Sequence, residues 1–139
     1  IEKGEFYEHA KIFDNYYGTL KKSVDQLSKK NDLIFDIDWQ GTKQLSKFKE
    51  LNLIKVYLIP PNKRELKKRL IKRGRDNKKE IQMRLSLALS EISHHNDYKY
   101  VIINDKLNET IFNIKNIIKY NQLKTNLSDK VKKNLLSKK

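Results

Sequence analysis

The chain contains no cysteine. That excludes disulfides, cysteine-ligated zinc and thiol nucleophiles, and it fits a reducing cytoplasm as the expected location. Glycine occurs only at positions 4, 18, 41 and 74, and proline only as the pair Pro60-Pro61. Glycines this sparse cannot supply a G-x-x-x-x-G-K-[ST] phosphate loop, and none occurs in the 139 residues. No apolar run reaches membrane-spanning length and no signal peptide is visible, so no membrane partner is expected. The first residue is Ile1 rather than Met, which suggests a piece of a longer protein.

Acidic residues are few beside the basic ones, 17 against 31, for a net charge of +14. Such a balance invites a nucleic-acid partner. Lysine dominates, however, with arginine only at 64, 69, 73, 75 and 84, and Ile and Asn are also abundant. A solvated lysine surface explains the charge better than nucleic-acid binding. Apolar content is 37%. It falls in periodic runs, which permits one domain with a real core.

The pattern predicts a short helix around Lys3 to Ala10, then extended chain over "AKIFDNYYG" broken at Asp14-Asn15. Leu20, Val24 and Leu27 have helical spacing within Leu20 to Lys29. "DLIFDID" reads as a strand buried on both faces, as in a parallel sheet. A helix from Gln40 to Leu51 and a strand "LIKVYLI", stopped by Pro60-Pro61, follow. "NKRELKKRLIKR" reads as a helix capped by Asn62 and ended by Gly74. After a polar loop, Asp76 or Asn77 caps a helix to Asn96 whose apolar positions are Ile81, Leu85, Ala88 and Ile92. "YVIIN" is a third strand, and the final helix places Leu107, Ile111, Ile114, Ile117 and Ile118 on one face. Strands alternating with helices imply an α/β fold with a parallel sheet.

Several residue groups suggest chemistry. On a strand, Asp36 and Asp38 share a face at the C-terminal end, where open parallel sheets bind ligands. Two like charges there call for a cation, an Arg or a donor-rich ligand; Asp38 alone could instead cap the next helix. Arg69 and Arg73 share a helix face, and Arg84 lies beyond the polar loop. In a lysine-rich chain these arginines suggest bidentate phosphate contact across two helices able to close like a lid, although a solvated basic face fits the spacing equally well. Glu8, Tyr17 and Thr19 alone read as a polar turn. A carboxylate is nevertheless the natural acceptor for two adjacent N–H donors on one edge of a planar ligand, as guanine offers. His94-His95 lacks metal-ligand spacing, and Trp39 reads as packing.

"FYEHAKIFDNYYGT", "FDIDWQG", "YLIPP", "LKKRLIKRGRD" with Arg84 following, and "YVIIND" occur in the order and spacing that resemble guanylate kinases, from Gly4 to about Leu123. The resemblance implies a P-loop nucleoside monophosphate kinase-like parallel sheet flanked by helices, incomplete, with part of a GMP-binding subdomain and a lid. It implies phosphoryl transfer from ATP to GMP with Mg²⁺. By that likeness Glu8 accepts from the guanine N–H edge, Thr19 lies near guanine O6, Tyr17 contacts the GMP phosphate, and Asp38 belongs to the guanine site. Asp36 matches a carboxylate acting near Mg²⁺ through water, with no direct protein ligand to the metal. Arg73 and Arg84 match lid arginines that clamp the phosphates, and Arg69 with Asn104 resembles the adenine-side pocket. The implied layout is 1–31 for the remainder of the GMP subdomain, 32–72 and 85–123 for the core, 73–84 for the lid, and 124–139 for a disordered basic tail.

In the family a phosphate loop precedes this region, and the strand leading to it lies between the "LIFDID" and "KVYLIP" strands. The resemblance thus implies a marginally folded, inactive piece. Two other readings are a guanylate-kinase-like module retained for interaction with phosphorylated peptides, and a basic nucleic-acid-binding protein. The expectation for the purified 139-residue chain is no GMP-dependent ADP release in a coupled assay; release of ADP contradicts it.

Overall fold

The computed structural model describes residues 4–12, 15–74, 77–131 and 133. Its contacts divide the chain into two units, residues 1–53 and 54–139.

In the first unit, β1 (Phe6–Ile12) pairs antiparallel with β2 (Asn15–Leu20). The short helix expected around Lys3 to Ala10 is therefore corrected to a strand from Phe6 on; Lys3 lies outside the described residues. The hairpin ladder to β2, which pairs residues as near as Ile12 with Asn15 and as far as Phe6 with Leu20, overrides local helix spacing. Helix α1 (Lys21–Leu27) follows directly, tied back by the Lys21 N–H donating to the Glu5 carbonyl at 2.9 Å.

Residues 32–38, expected as a strand, have no ladder partner among the described residues. They still alternate as a strand does: Leu33, Phe35 and Ile37 pack on the core, while Asp36 is exposed and Ile34 is 84% exposed. One face is covered, not the two that the continuous apolar run suggested. Helix α2 (Trp39–Leu45) then begins on an Asp38 cap, and ends six residues short of the expected Leu51. Tyr7, Val24 and Leu45 form the buried centre of this unit, with Phe48, Leu51 and Leu53 packed against them.

Tyr7 shows how tightly that centre is held. Its ring meets Phe48 edge-on at 4.8 Å, and its hydroxyl donates to Asp25 at 2.6 Å. That hydrogen bond, then burial, then the Asp25 charge push the phenol up from 10.0 to about 12.

The second unit is built on a parallel pair, β3 (Val56–Ile59) and β4 (Tyr100–Ile103), with Val56 opposite Tyr100 and Ile59 opposite Ile103. Parallel strands need a helical crossover, and here it is α3 (Lys63–Lys72), α4 (Lys78–Glu91) and a 3-10 turn over Ile92–Asp97. The caps fall at expected residues. Asn62 accepts from the Glu65 N–H, and Asn77 forms a reciprocal capping box with Glu80. Asp76, the alternative cap, lies outside the described residues. Gly74 ends α3 at φ +64°, a conformation that favours glycine.

Helix α5 (Leu107–Val131) runs eight residues past the 123 boundary expected for the folded part. Its inward stripe also differs from the expected one. Thr110 is buried, Ile114, Ile117, Ile118 and Asn121 are half-buried, and Leu107 and Ile111 are exposed at 67% and 41%. The two polar members have partners: Thr110 Oγ1 donates to Asn104 Oδ1 at 3.0 Å, and Asn121 Nδ2 to the Tyr100 hydroxyl at 3.1 Å. Hydrogen bonding thus lets polar residues occupy the inner face.

Leu45, only 2% exposed, is expected to cost about 2–5 kcal/mol when cut to alanine, measured by urea unfolding. An unchanged midpoint contradicts the core assignment. A phenol whose folded value is raised stabilises fully below its unfolded value, and that contribution is lost as pH rises through the folded one. For Tyr7 the window is pH 10 to about 12. Spectrophotometric titration is expected to show a phenolate forming near pH 12 that Tyr7→Phe removes.

Candidate functional site

Two groupings of the expected residues emerge, one in each unit. The first centres on Glu8, which is 4% exposed. It sits opposite Thr19 in the hairpin register, and Thr19 Oγ1 donates to Glu8 Oε1 at 2.5 Å. Tyr17 pairs with Ala10, two residues on from each, so side chains at 8, 10, 17 and 19 share one face. Tyr17 is 57% exposed there.

The other carboxylate oxygen of Glu8 lies against α2. A Cβ built on Gly41 would stand 2.9 Å from Glu8 Oε2, so only glycine leaves room for the carboxylate. The same residue's N–H donates to Asp38 Oδ1 at 2.8 Å. Glu8 and Asp38 thus meet Gly41 from two sides. Asp38 takes the capping role that the sequence left open for it, and its second oxygen keeps acceptor capacity. Asp36 belongs to the outward set of the 32–38 segment and does not share this arrangement.

The second grouping is a cleft of about 170 Å³ at the C-terminal ends of the parallel strands, where Pro60 follows β3 and Asn104 follows β4. Leu66, Leu70, Arg69 and Arg73 from α3 complete its wall. This is the position at which open parallel sheets present ligand crevices. Arg69 is spent on internal contacts: Nε donates to Glu65 at 3.0 Å, Nη1 to the Asn104 carbonyl at 2.8 Å, and Nη2 to the Asp105 carbonyl at 3.2 Å. It acts as a strut between α3 and the turn after β4. The Arg69 hydrogen bond holds the Glu65 carboxyl below the usual carboxylate range. Arg73 is exposed one turn on, at the helix end. Arg84 lies half-buried on α4 and is not in the cleft wall.

With Oδ1 of Asn104 accepting from Thr110, the amide N–H groups are left to turn elsewhere. Thr110 and Gly41 were not singled out in the sequence, and Glu65 was noted only as the residue three positions after the Asn62 cap. The signal for Thr110 was a polar residue at the i−4 position from Ile114 inside a helix whose apolar stripe it interrupts. Gly41 lay in view within "FDIDWQG", but its contact is with a residue 33 positions earlier. Among the described residues no group of three His, Asp or Glu side chains is placed to hold a metal ion.

The chain is thus a mixed α/β protein with a small parallel sheet and a carboxylate-bearing hairpin. The guanylate kinase family model matches residues 1–121. A guanylate kinase of Rickettsia bellii is 44% identical over 127 residues, covering 91% of this chain and 66% of its own length. One from Buchnera aphidicola is 46% identical over 121 residues, 86% of this chain and 58% of its own. The crystal structure of guanylate kinase from Anaplasma phagocytophilum superposes with a TM-score of 0.74 at 30% identity, covering 99% of this chain and 69% of that one. The chain belongs to the guanylate kinase family, and it spans just under two thirds of the Rickettsia bellii relative's length and less of the Buchnera one's.

Gly41→Ala is expected to cost about 1–3 kcal/mol, because the new methyl displaces a buried carboxylate. Urea unfolding checks it, and no change in midpoint contradicts the close approach. Thr110→Val keeps the volume and removes the hydroxyl. It is expected to cost about 1 kcal/mol and to release the Asn104 side chain, seen as faster exchange of its amide protons by NMR; unchanged exchange contradicts the Thr110 hold.

Proposed function

We propose that this chain carries the GMP-reading and phosphate-clamping parts of a guanylate kinase, the enzyme that moves a phosphoryl group from ATP to GMP. The observation that carries the reading is the burial of Glu8. A carboxylate has about four acceptor sites, and among the described residues Thr19 is the one hydrogen-bond donor to it. A buried carboxylate left short of donors is costly. The N1–H and 2-amino group of guanine are two adjacent donors of the right kind. Adenine offers no such pair, so the site would select guanine by leaving Glu8 unsatisfied with the wrong base.

Thr19, next to Glu8, would meet the ring near O6, and Asp38 would add an acceptor from beyond Gly41. Tyr17, exposed on the same hairpin face, would take the GMP phosphate. In the other unit, Asn104 and the apolar cleft wall suit the adenine of ATP, with Arg69 bracing the wall rather than meeting phosphate. Arg73 and Arg84 would neutralise charge on the transferring oxygens, where positioned cations count most. Mg²⁺ in such sites is held by one or two carboxylates, waters and the nucleotide's own phosphates. Asp36, exposed and single, fits that limited role through water.

The test is a titration with GMP read by Trp39, the sole tryptophan, which begins α2 beside Asp38. Wild-type protein is expected to bind GMP and not AMP. Glu8→Gln, which turns an amide donor toward the guanine donors, is expected to weaken GMP about 10–100-fold. Equal GMP affinity in Glu8→Gln contradicts the proposal.

A further inference from the structure

Gln44 has no part in the site as described, yet its surroundings are specific. Its Nε2 donates to the His9 carbonyl at 2.7 Å, and its Oε1 accepts from the His9 N–H at 3.1 Å. A carboxamide presents the same donor and acceptor as a peptide group, so this pair is one rung of a sheet ladder made by a side chain. Both contacts hold only in this amide orientation; the flipped one would set donor against donor and acceptor against acceptor. The rung closes β1 at His9, the residue next to Glu8. On α2, Gln44 stands three residues past Gly41, which touches Glu8 Oε2, and next to Leu45, which is 2% exposed in the core. Strand and helix are therefore joined at the Glu8–Gly41 contact and again one helical turn away.

We propose that Gln44 is a positioning residue for Glu8: by pairing with the His9 backbone it fixes β1 against α2 and so sets the Glu8 carboxylate where it accepts two base N–H groups at once. The inference rests on the GMP reading of Glu8. A carboxylate free to shift keeps one hydrogen bond to the base easily and loses the second. Guanine's 2-amino group is that second donor, and inosine monophosphate lacks it. The preference for GMP over IMP therefore reports where Glu8 is held, and a loss of overall stability alone does not change it.

The experiment compares GMP and IMP affinities by Trp39 fluorescence in wild-type protein, Gln44→Met and Tyr7→Phe. Gln44→Met keeps the side-chain length without the hydrogen bonds. Tyr7→Phe removes a different hydrogen bond from the same strand, that to Asp25, and serves as the control for loosened packing. Wild-type protein is expected to prefer GMP, Gln44→Met to lose on the order of tenfold of that preference, and Tyr7→Phe to keep it. If Gln44→Met retains the preference, or Tyr7→Phe loses as much, the inference is overturned while the GMP reading stands. If wild-type protein shows no preference between the two nucleotides, the GMP reading fails and the inference with it. Should Gln44→Met not fold, Gln44→Glu, which keeps the acceptor for the His9 N–H and loses the donor, gives the same comparison.

Discussion

A buried carboxylate has to be supplied with donors, and in the first unit Glu8 receives one while three elements close around it. At 4% exposure it cannot rely on water. Thr19 provides one hydrogen bond across the hairpin, and Gly41 gives the carboxylate room by having no side chain. The strand carrying Glu8, the strand carrying Thr19 and the helix beginning at Trp39 each meet the same side chain. Moving any one of them moves the acceptor. In the proposed reading stability and recognition are coupled: the protein holds the charge in its interior, and a base with two adjacent N–H groups would complete the hydrogen bonding that Thr19 begins.

The second unit treats charge differently. Arg69, half-buried, donates to Glu65 and to two carbonyl oxygens. Its positive charge is neutralised locally and its fork geometry ties α3 to the turn after β4. Arg73, four residues on, reaches the helix end and is exposed. Two arginines on one helix face thus divide into a brace and a cation open to solvent. Among the described residues no helix is long and apolar enough to cross a membrane, and the apolar surface of α5 is broken by lysines along its length.

Local signals were read correctly where local forces decide. Asn62 and Asn77 cap the helices they precede, Gly74 ends α3 with a positive φ, and Ile81, Leu85 and Ala88 lie on the half-buried face of α4, which ends at Glu91 rather than at the expected Asn96, with Ile92 opening the 3-10 turn. Where a distant partner decides, the pattern misled. The stretch from Phe6 to Ala10 looked helical because β2, its ladder partner, leaves no trace in its own residues. The inner face of α5 was drawn through Leu107 and Ile111, while it runs through Thr110 and Asn121, whose partners Asn104 and Tyr100 make their polarity acceptable. Of the proposed site, Glu8, Thr19 and Asp38 were named through the family likeness, and the structure brings Glu8 to Thr19 and to Gly41, which Asp38 caps. Gln44 was not, since a glutamine within a helix is ordinary until a backbone 35 residues away is set beside it.

The central claim is that Glu8 accepts hydrogen bonds from the guanine edge. It is tested most directly by NMR of the protein with ¹⁵N-labelled GMP, following the N1 imino proton of the bound nucleotide. The account predicts an imino proton protected from water exchange, shifted downfield, and coupled through its hydrogen bond to the Glu8 carboxylate carbon. An imino proton that exchanges with water as fast as in free GMP, or that couples to another residue, would contradict it.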